Sequence, residues 1–215
     1  MMDKHLSDSP ILMFGPMAAA CHRGAKTQTR RIPHKIPPRI GHRFWVKESF
    51  RVEALYDDIG PNDLKELNLS SIPVWYEANG DGSDDGRCAP GGGQWGKLRP
   101  SIFMPKNLSR TTLRVTARRH EHLHEITEDD ALAEGISATN ILNGEWRYGI
   151  GGPAGGPSGE KGAWPLDRWK SDPIDAFRVL WDELYPAEEQ SWYANPLVRV
   201  VCFSVTQKNI NEVSW

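Results

Sequence analysis

The chain has 215 residues, a formal net charge of −2 and 39% hydrophobic residues, with 20 glycines and 16 prolines. This length allows one large domain, and the composition indicates a modest core that carries long irregular loops. The net charge excludes a globally basic chain, and the sequence excludes a transmembrane helix because no apolar run approaches about 18 residues.

Basic and acidic residues are separated along the chain. Nine Lys or Arg and one acid lie between Arg23 and Arg51, and seven Lys or Arg and no acid lie between Lys97 and Arg119. Residues 53–85, between these two segments, contain nine acids and one base. We expect the two basic segments to form a positive face if they meet in space, unless the acidic segment covers them.

The cysteines and the first residues indicate the compartment. Cys21, Cys88 and Cys202 are far apart and odd in number, which is typical of unpaired thiols in a reducing compartment. The chain starts with Met-Met-Asp-Lys-His, which does not form a secretion signal. We therefore expect a cytoplasmic protein without a membrane partner.

The first predicted elements lead into a basic stretch. Ile11 to Phe14 is predicted to be a short strand, and a short helix follows, because Pro16 suits a first helical turn and Gly24 suits a helix end. Residues 24–31, Gly-Ala-Lys-Thr-Gln-Thr-Arg-Arg, then combine a lysine, two threonine hydroxyls and two guanidiniums. Functional groups gather where an element ends, since side chains there face open space from a rigid support.

Three conformations of residues 24–31 are open on the sequence alone. A tight turn after Gly24 places Lys26 and Thr29 on the same side. A solvated basic turn is the alternative without a function. A strand divides the side chains between two faces, with Thr27, Thr29 and Arg31 on one and Lys26, Gln28 and Arg30 on the other.

Alternating and apolar runs predict the sheet. Strands are expected near residues 43–48, 74–77, 101–104, 111–118 and 197–205. In the clearest of them, residues 111–118, the side chains of Leu113, Val115 and Ala117 are expected to point inward. The run at 101–104 has proline at both ends, so it is an edge strand or a lining loop.

Two segments are predicted to be insertions. Residues 52–94 are acidic and end in a run rich in Gly, Asp and Ser, and residues 143–165 are rich in Gly, Pro and Trp. The next predicted helix begins with Asp172 as the N-cap and Pro173 at its first position. It carries one apolar stripe, which is expected to be core and comprises Ile174, Phe177, Leu180, Trp181 and Leu184.

Three histidines, His120, His122 and His124, are spaced by two residues near the end of a predicted strand. Three histidines on one strand face are in principle a zinc ligand set. Acids are interleaved at Glu121 and Glu125 and no cysteine is near, so we predict no metal site and no cofactor.

A short capped helix is predicted over residues 127–136. Thr127 is the expected N-cap, acids fill the first turn, and Gly135 ends the helix. Glu134 is unusual, because a carboxylate in the last turn faces the negative end of the helix dipole. A residue that opposes a local preference is a candidate functional residue, so Glu134 is one. The alternative is that Glu134 is exposed and forms a salt bridge.

These elements resemble the ASCH domain family, a branch of the PUA-like β-barrels. The resemblance rests on Gly-x-Lys-Thr-x-Thr-Arg-Arg at 24–31, the strand at 41–47, the helix at 126–135 and the strand at 197–205. More narrowly, Arg-Pro-Ser-Ile-x-Met-Pro at 99–105 and Trp-x-x-Asn-Pro at 192–196 are similar to segments of the longer ASCH-like proteins of tailed phages and prophages.

The resemblance implies an α+β fold, with one PUA-like mixed β-barrel domain over residues 10–207, two or three packed helices and the two insertions. It also implies RNA or a modified nucleoside as the ligand of a central pocket. Small bacterial ASCH enzymes are amidohydrolases that remove the acetyl group of N4-acetylcytidine with a lysine, a threonine and a glutamate. Those positions match Lys26, Thr29 and Glu134, and the family arginine matches Arg31.

The implied chemistry is amide hydrolysis. Thr29 is the expected nucleophile, Lys26 the base that takes its proton, and Glu134 the acid that protonates the leaving amine. Arg31 is expected to favour the neutral lysine and to stabilise an oxyanion.

Substrate binding is expected from Arg30, Arg31 and Trp45, whose ring, like that of Trp95, can stack on a base. Two other functions are open. One is a non-catalytic RNA- or nucleotide-binding module that uses the same pocket. The other is a phage accessory protein whose insertions bind a protein partner.

Overall fold

The computed structural model describes residues 8–33, 38–60, 63–65, 72–79, 93–141, 144–151 and 163–213. These residues form an α+β fold, as predicted, with nine strands and three α-helices. The strands are β1 (Ser9–Leu12), β2 (Gln28–Arg31), β3 (Arg43–Lys47), β4 (Phe50–Arg51), β5 (Trp75–Tyr76), β6 (Thr112–His122), β7 (Ser137–Asn140), β8 (Trp146–Gly149) and β9 (Leu197–Thr206). The helices are α1 (Gly15–His22), α2 (Glu128–Ala133) and α3 (Pro173–Leu184).

Five strands form one mixed sheet in the order β1-β3-β6-β9-β2. β1 is parallel to β3, and the other neighbouring strands are antiparallel. Among the described strands, β1 and β2 are the two edges and do not pair with each other, so this sheet is open rather than a closed barrel. The Arg31 side chain on β2 donates a hydrogen bond of 2.9 Å from Nη2 to the carbonyl oxygen of Leu12 on β1.

The helix ends follow their sequence signals. Pro16 lies in the first turn of α1, and Gly24, just after its end, has a φ of +76°, which suits glycine. The Asp172 carboxylate accepts hydrogen bonds from the backbone N–H groups of Ile174 at 2.8 Å and Asp175 at 2.9 Å, so it caps α3 as predicted.

The main core is shared by the long strands and the helices. It includes Met17 and Cys21 of α1, Trp181 of α3, Leu113 of β6 and Phe203 of β9. A second cluster lies under the acidic segment, where β4 pairs with β5 and confirms the strand predicted near 74–77. This second cluster comprises Trp45, Phe50, Val52, Leu64, Met104, Leu108 and Ile210. Residues 52–94 therefore supply core side chains and are not wholly an insertion outside the fold.

The strand predicted at 101–104 is wrong. Residues Ser101–Phe103 form a 3₁₀ turn, in which the Met104 N–H donates to the Ser101 carbonyl oxygen at 3.0 Å. The flanking Pro100 and Pro105 have no N–H to give to a neighbouring strand, which favours a local turn over ladder pairing. The alternative of a lining loop is correct, because Ser101 lines the cavity described below.

A bulge changes the faces of β6. Val115 lies opposite Phe203 and Ala117 lies opposite Cys202, so Thr116 has no partner on β9. Such an extra residue reverses the expected alternation beyond it. Leu113 and Val115 are buried as predicted, but Ala117 is exposed and its predicted inward position is wrong.

The two basic segments meet where β3 pairs with β6, which sets Arg43 opposite Arg114. Arg43 Nε donates to the Asp8 carboxylate at 2.8 Å, and Arg99 Nη2 donates to the backbone carbonyl oxygen of Tyr56 in the acidic segment at 2.6 Å. Both expectations are therefore met in part: the basic segments pair, and the acidic segment covers some of their charge.

Residues 80–92 and 152–162, the Gly-rich parts of the two predicted insertions, lie outside the described residues. The protein partner predicted to bind through the insertions stays a prediction. In the described part of the chain, each helix is too short or too polar to cross a bilayer.

We expect Gly135→Ala to lower the free energy of unfolding by about 2–4 kcal/mol. Gly135 has a φ of +98°, and an added Cβ would meet the Cβ of Lys26 at 3.2 Å, the Cβ of Ala20 at 3.3 Å and the Sδ of Met17 at 3.3 Å. The left-handed backbone and the crowding both oppose a side chain here. Urea denaturation measures the change.

Gly144→Ala is the matched control for this prediction. Gly144 has a φ of +77°, but no atom of the described residues lies within 4 Å of an added Cβ. Only the backbone penalty of about 1–2 kcal/mol is therefore expected. Equal losses in the two variants would contradict the crowding around Gly135.

Candidate active site

The segment after α1 enters the sheet beside α2. The Lys26 N–H donates to the Ala20 carbonyl oxygen at 3.0 Å, and the Thr27 N–H donates to the Ala133 carbonyl oxygen at 2.9 Å. β2 then begins at Gln28, so the strand alternative is correct for residues 28–31, whereas Lys26 and Thr27 precede the strand. The solvated-turn alternative is wrong, because four of its polar residues are buried: Lys26, Gln28, Thr29 and Arg30.

Lys26 and Glu134 form a buried ion pair. The Lys26 Nζ donates to Glu134 Oε2 at 2.7 Å and to the Glu134 backbone carbonyl oxygen at 2.6 Å, and each side chain is only 4% exposed. Glu134 is the C-cap of α2, so the ammonium compensates both the carboxylate and the negative end of the helix. This contact explains the unusual position of Glu134, and the alternative of an exposed glutamate is wrong.

Arg30 connects this pair to two further carboxylates. Its Nη1 donates to Glu134 Oε1 at 3.3 Å, and its Nη2 donates to Glu121 Oε1 at 2.6 Å and to Asp130 Oδ2 at 2.8 Å. The Arg30 side chain is fully buried, so its charge is balanced within the protein. This geometry holds Glu134 in place, and the substrate-binding role predicted for Arg30 stays a prediction.

Asp130 is a carboxylate of this network whose pKa is lowered by its partners. Burial alone raises its pKa, but the hydrogen bond from Gln28, the charge of Arg30 and the hydrogen bond from Arg119 outweigh burial and lower the pKa to about 2. The Gln28 Nε2 donates to Asp130 Oδ1 at 3.0 Å, and the Arg119 Nη2 donates to Oδ2 at 3.0 Å. Ionised Asp130 therefore ties β2 and β6 to α2.

We expect this carboxylate to make stability fall in acid. The folded-state pKa of Asp130, about 2, lies below the ordinary value of 3.8, so its stabilising contribution is complete above about pH 4 and is lost as the pH falls toward 2. Thermal unfolding of the wild type and Asp130→Asn between about pH 6 and pH 2 measures it. We expect the difference in Tm between the wild type and Asp130→Asn to shrink as the pH falls from about 4 to 2. A difference that stays constant over this range would contradict the lowered pKa of Asp130.

A cavity of about 370 Å³ lies beside the ion pair at the β2 edge, and this volume is within the range of ligand pockets. Its polar wall consists of Lys26, Thr29, Arg30, Arg31, Ser101 and Glu134. Its apolar walls come from the β1–α1 segment and from α3, and include Leu12, Phe14, Met17, Phe177, Leu180, Trp181, Leu184 and Tyr185. The structure thus brings together the three predicted catalytic residues and both predicted arginines.

The apolar wall from α3 is not evident from the sequence. The stripe of this helix is predicted to be core, and Phe177, Leu180 and Trp181 are indeed buried, but they also line the cavity. Leu184, 51% exposed, and Tyr185 extend the wall, and the Tyr185 ring stacks on Trp181 with 4.3 Å between the centroids. Trp181 and Tyr185 are four residues apart at the end of α3, so their rings lie on the same side of the helix, and this spacing is the sequence pattern that indicates an aromatic wall.

Two further titratable side chains stay neutral near the cavity. Burial raises the pKa of the Cys21 thiol to about 12, so it is not a thiolate nucleophile at neutral pH. Burial also raises the pKa of Tyr185, against the opposing charge of Arg31. Among the described groups of the cavity wall, Lys26 and Glu134 form an ion pair in which Nζ and Oε2 are 2.7 Å apart.

Neither Trp45 nor Trp95 is part of the cavity wall. Trp45, 9% exposed, belongs to the second cluster, and the Lys47 Nζ lies 5.4 Å from its ring centroid. Trp95 is half-buried and forms an isolated bridge with Glu53. The aromatic surface of the cavity comes from α3 instead, and sequence alone does not distinguish these large apolar residues.

Two of the three histidines contact backbone carbonyls. His122 Nδ1 donates to the Asn195 carbonyl oxygen at 3.0 Å, and His124 Nε2 donates to the Trp192 carbonyl oxygen at 2.8 Å. Within the described ranges, no three His, Cys, Asp or Glu side chains are arranged to hold a metal ion.

No protein-family model matches the sequence, and neither a curated protein nor a solved structure matches the chain. The class of the protein therefore rests on its fold and site. It is an α+β domain with an open five-stranded sheet and an edge cavity that combines a buried lysine–glutamate pair with a threonine and an arginine.

Proposed function

We propose that the chain is an ASCH-like protein whose cavity binds RNA or a modified nucleoside and hydrolyses N4-acetylcytidine-type amides. One observation carries the proposal: Lys26, Thr29 and Glu134, which match the catalytic positions of that family, line one cavity together with Arg31. In this proposal the open sheet corresponds to the strands of a PUA-like barrel, and the Arg31 side chain on β2 bonds to the backbone of β1.

The ion pair supplies both proton-transfer groups. Transfer of one proton over the 2.7 Å contact from Lys26 Nζ to Glu134 Oε2 gives a neutral amine and a carboxylic acid. The amine takes the hydroxyl proton of Thr29 as that oxygen attacks the acetyl carbonyl, and the Glu134 carboxyl protonates the leaving N4 nitrogen as the C–N bond breaks. The departure of the amine leaves the Lys26 ammonium and the Glu134 carboxylate as an ion pair again. Water then hydrolyses the acyl-threonine ester: its oxygen joins the acetyl carbon, one of its protons returns to the Thr29 oxygen, and acetic acid leaves.

The remaining walls suit a nucleobase and a developing oxyanion. The half-buried ring of Tyr185, which stacks on the buried ring of Trp181, provides a flat apolar surface on one side of the cavity. Arg31 uses one guanidinium nitrogen for its bond to Leu12, and its other N–H groups are donors for the oxyanion of the tetrahedral intermediate.

Hydrolysis of N4-acetylcytidine by the purified protein tests the proposal, with cytidine and acetate separated by chromatography. Lys26→Ala is expected to lose turnover by about a thousandfold or more. Lys106→Ala is the matched control, because Lys106 also pairs with a carboxylate, Asp8 at 2.9 Å, but does not line the cavity. No turnover by the wild type, or equal turnover by Lys26→Ala, contradicts the amidohydrolase.

A non-catalytic nucleotide-binding module is the second candidate function. It is favoured by the contacts of Lys26, whose Nζ donates to both the carboxylate and the backbone carbonyl of Glu134 and has no described contact with the Thr29 hydroxyl. Under this alternative the wild type binds N4-acetylcytidine without consuming it. Titration calorimetry beside the chromatographic assay separates the two functions.

A further inference from the structure

Three arginines and a histidine form a basic row next to the cavity. Arg31 on β2 is directly opposite Arg199 on β9, and Arg199 is directly opposite His120 on β6. Directly opposed residues point to the same face, so these side chains cross the sheet together. Arg118 lies on the same face, two residues before His120, and is exposed.

The basic row opposes the usual preferences of a sheet, because like charges directly opposite each other on antiparallel strands are destabilising. Arg118 is opposite Val201, so it is a diagonal neighbour of Arg199 on this face, and burial together with the charge of Arg118 lowers the pKa of Arg199. Within the described part of the chain, neither Arg31 nor Arg118 pairs with a carboxylate. A clustered positive charge of this kind is a candidate binding site for an external anion.

The opposite face of the same strands is neutralised. Arg30 and Arg119 both pair with Asp130 and Glu121. The bulge at Thr116 places Arg119 and Glu121 on that face and leaves the basic row on the other. The two faces of the sheet therefore differ. On one face Arg30 and Arg119 are paired with carboxylates. On the other face Arg31 and Arg118 have no carboxylate partner among the described residues.

We propose that the basic row binds the phosphates of a single-stranded RNA whose modified base enters the cavity. This inference rests on the proposed nucleoside-binding function and names its substrate class, a nucleotide within a strand rather than a free nucleoside. Arg31 belongs to both the row and the cavity wall, so a strand bound along the row reaches the cavity directly. Guanidinium forks match phosphate oxygens, and an unpaired base is free to leave the stack.

Fluorescence anisotropy with a labelled oligocytidylate RNA of about twelve nucleotides tests the row. Three phosphate contacts predict a slope of about −2 for log affinity against log salt, a fall of about 15- to 20-fold between about 50 and 200 mM salt. Arg118→Gln and Arg199→Gln are each expected to weaken binding several-fold and to reduce the slope by about 0.7. Arg114→Gln is the matched control, because Arg114 is an exposed arginine of β6 on the opposite face.

Unchanged affinity and slope in both Arg118→Gln and Arg199→Gln, or no RNA binding by the wild type, overturns the proposal. Arg118 does not line the cavity, so Arg118→Gln is expected to hydrolyse free N4-acetylcytidine within about twofold of the wild type. If Arg118→Gln and Arg199→Gln weaken RNA binding but the wild type does not hydrolyse N4-acetylcytidine, RNA binding by the basic row is supported and only the amidohydrolase function is refuted. If the wild type hydrolyses N4-acetylcytidine but the two substitutions do not change RNA binding, only the RNA-binding role of the basic row is refuted.

Discussion

Thr29→Val is expected to reduce the hydrolysis of N4-acetylcytidine by about a thousandfold or more while the protein stays folded. Under the proposed mechanism the Thr29 oxygen forms the acyl ester, and valine keeps the shape of the side chain without a nucleophile. Thr29 is 7% exposed and lies opposite Val201, so a branched apolar side chain suits this position. Steady-state turnover and circular dichroism measure the activity and the fold.

Thr29→Ser separates the chemistry from the packing. Serine keeps the hydroxyl, so turnover is expected to stay within about tenfold of the wild type. The lost methyl group lowers the free energy of unfolding by about 1 kcal/mol. Thr29 is not the nucleophile if the serine variant loses as much activity as the valine variant.

The second large effect is on stability. Lys26→Met is expected to lower the free energy of unfolding by about 3–5 kcal/mol, because the buried Glu134 carboxylate then keeps only Arg30, at 3.3 Å, as a described cationic partner. Glu134→Gln is expected to have a similar effect, since the Lys26 ammonium, 4% exposed, then faces a neutral amide. Guanidinium chloride denaturation measures both losses.

A double-mutant cycle tests whether the pair is the cause. The variant with both Lys26→Met and Glu134→Gln is expected to lose about 1–3 kcal/mol less than the sum of the single losses. Lys106→Met is the control, because its side chain is 40% exposed and its pair with Asp8 contributes about 1 kcal/mol or less. Additive single losses would mean that Lys26 and Glu134 act independently.

Local signals in the sequence predict most elements of this fold. Pro16, Gly24 and Asp172 act through their own backbone chemistry, so the helix ends that they mark are found where the sequence indicates them. Strand order is different, because the parallel pairing of β1 with β3 and the open edges depend on contacts between distant segments. For the same reason, alternation alone does not reveal the bulge at Thr116.

The sequence indicates the members of the candidate site better than their contacts. The strand faces of residues 28–31 and the odd helix position of Glu134 both follow from local geometry. The bonds from Arg30 to Glu121 and Asp130 join segments about a hundred residues apart, and no spacing rule encodes them. The choice between Trp45 and the aromatic residues of α3 likewise depends on which cluster each ring enters, which is a tertiary property.

The bulge in β6 determines which one-residue deletions the strand tolerates. Thr116 has no partner on β9, so its loss straightens the strand and leaves Arg118 and Arg119 on their present faces. Loss of His120 would instead turn Glu121 to the face of Arg118 and take its carboxylate away from Arg30. Among evolutionary relatives of this chain, deletions in this strand are therefore expected to accumulate at Thr116 and to be selected against between Arg118 and Glu121.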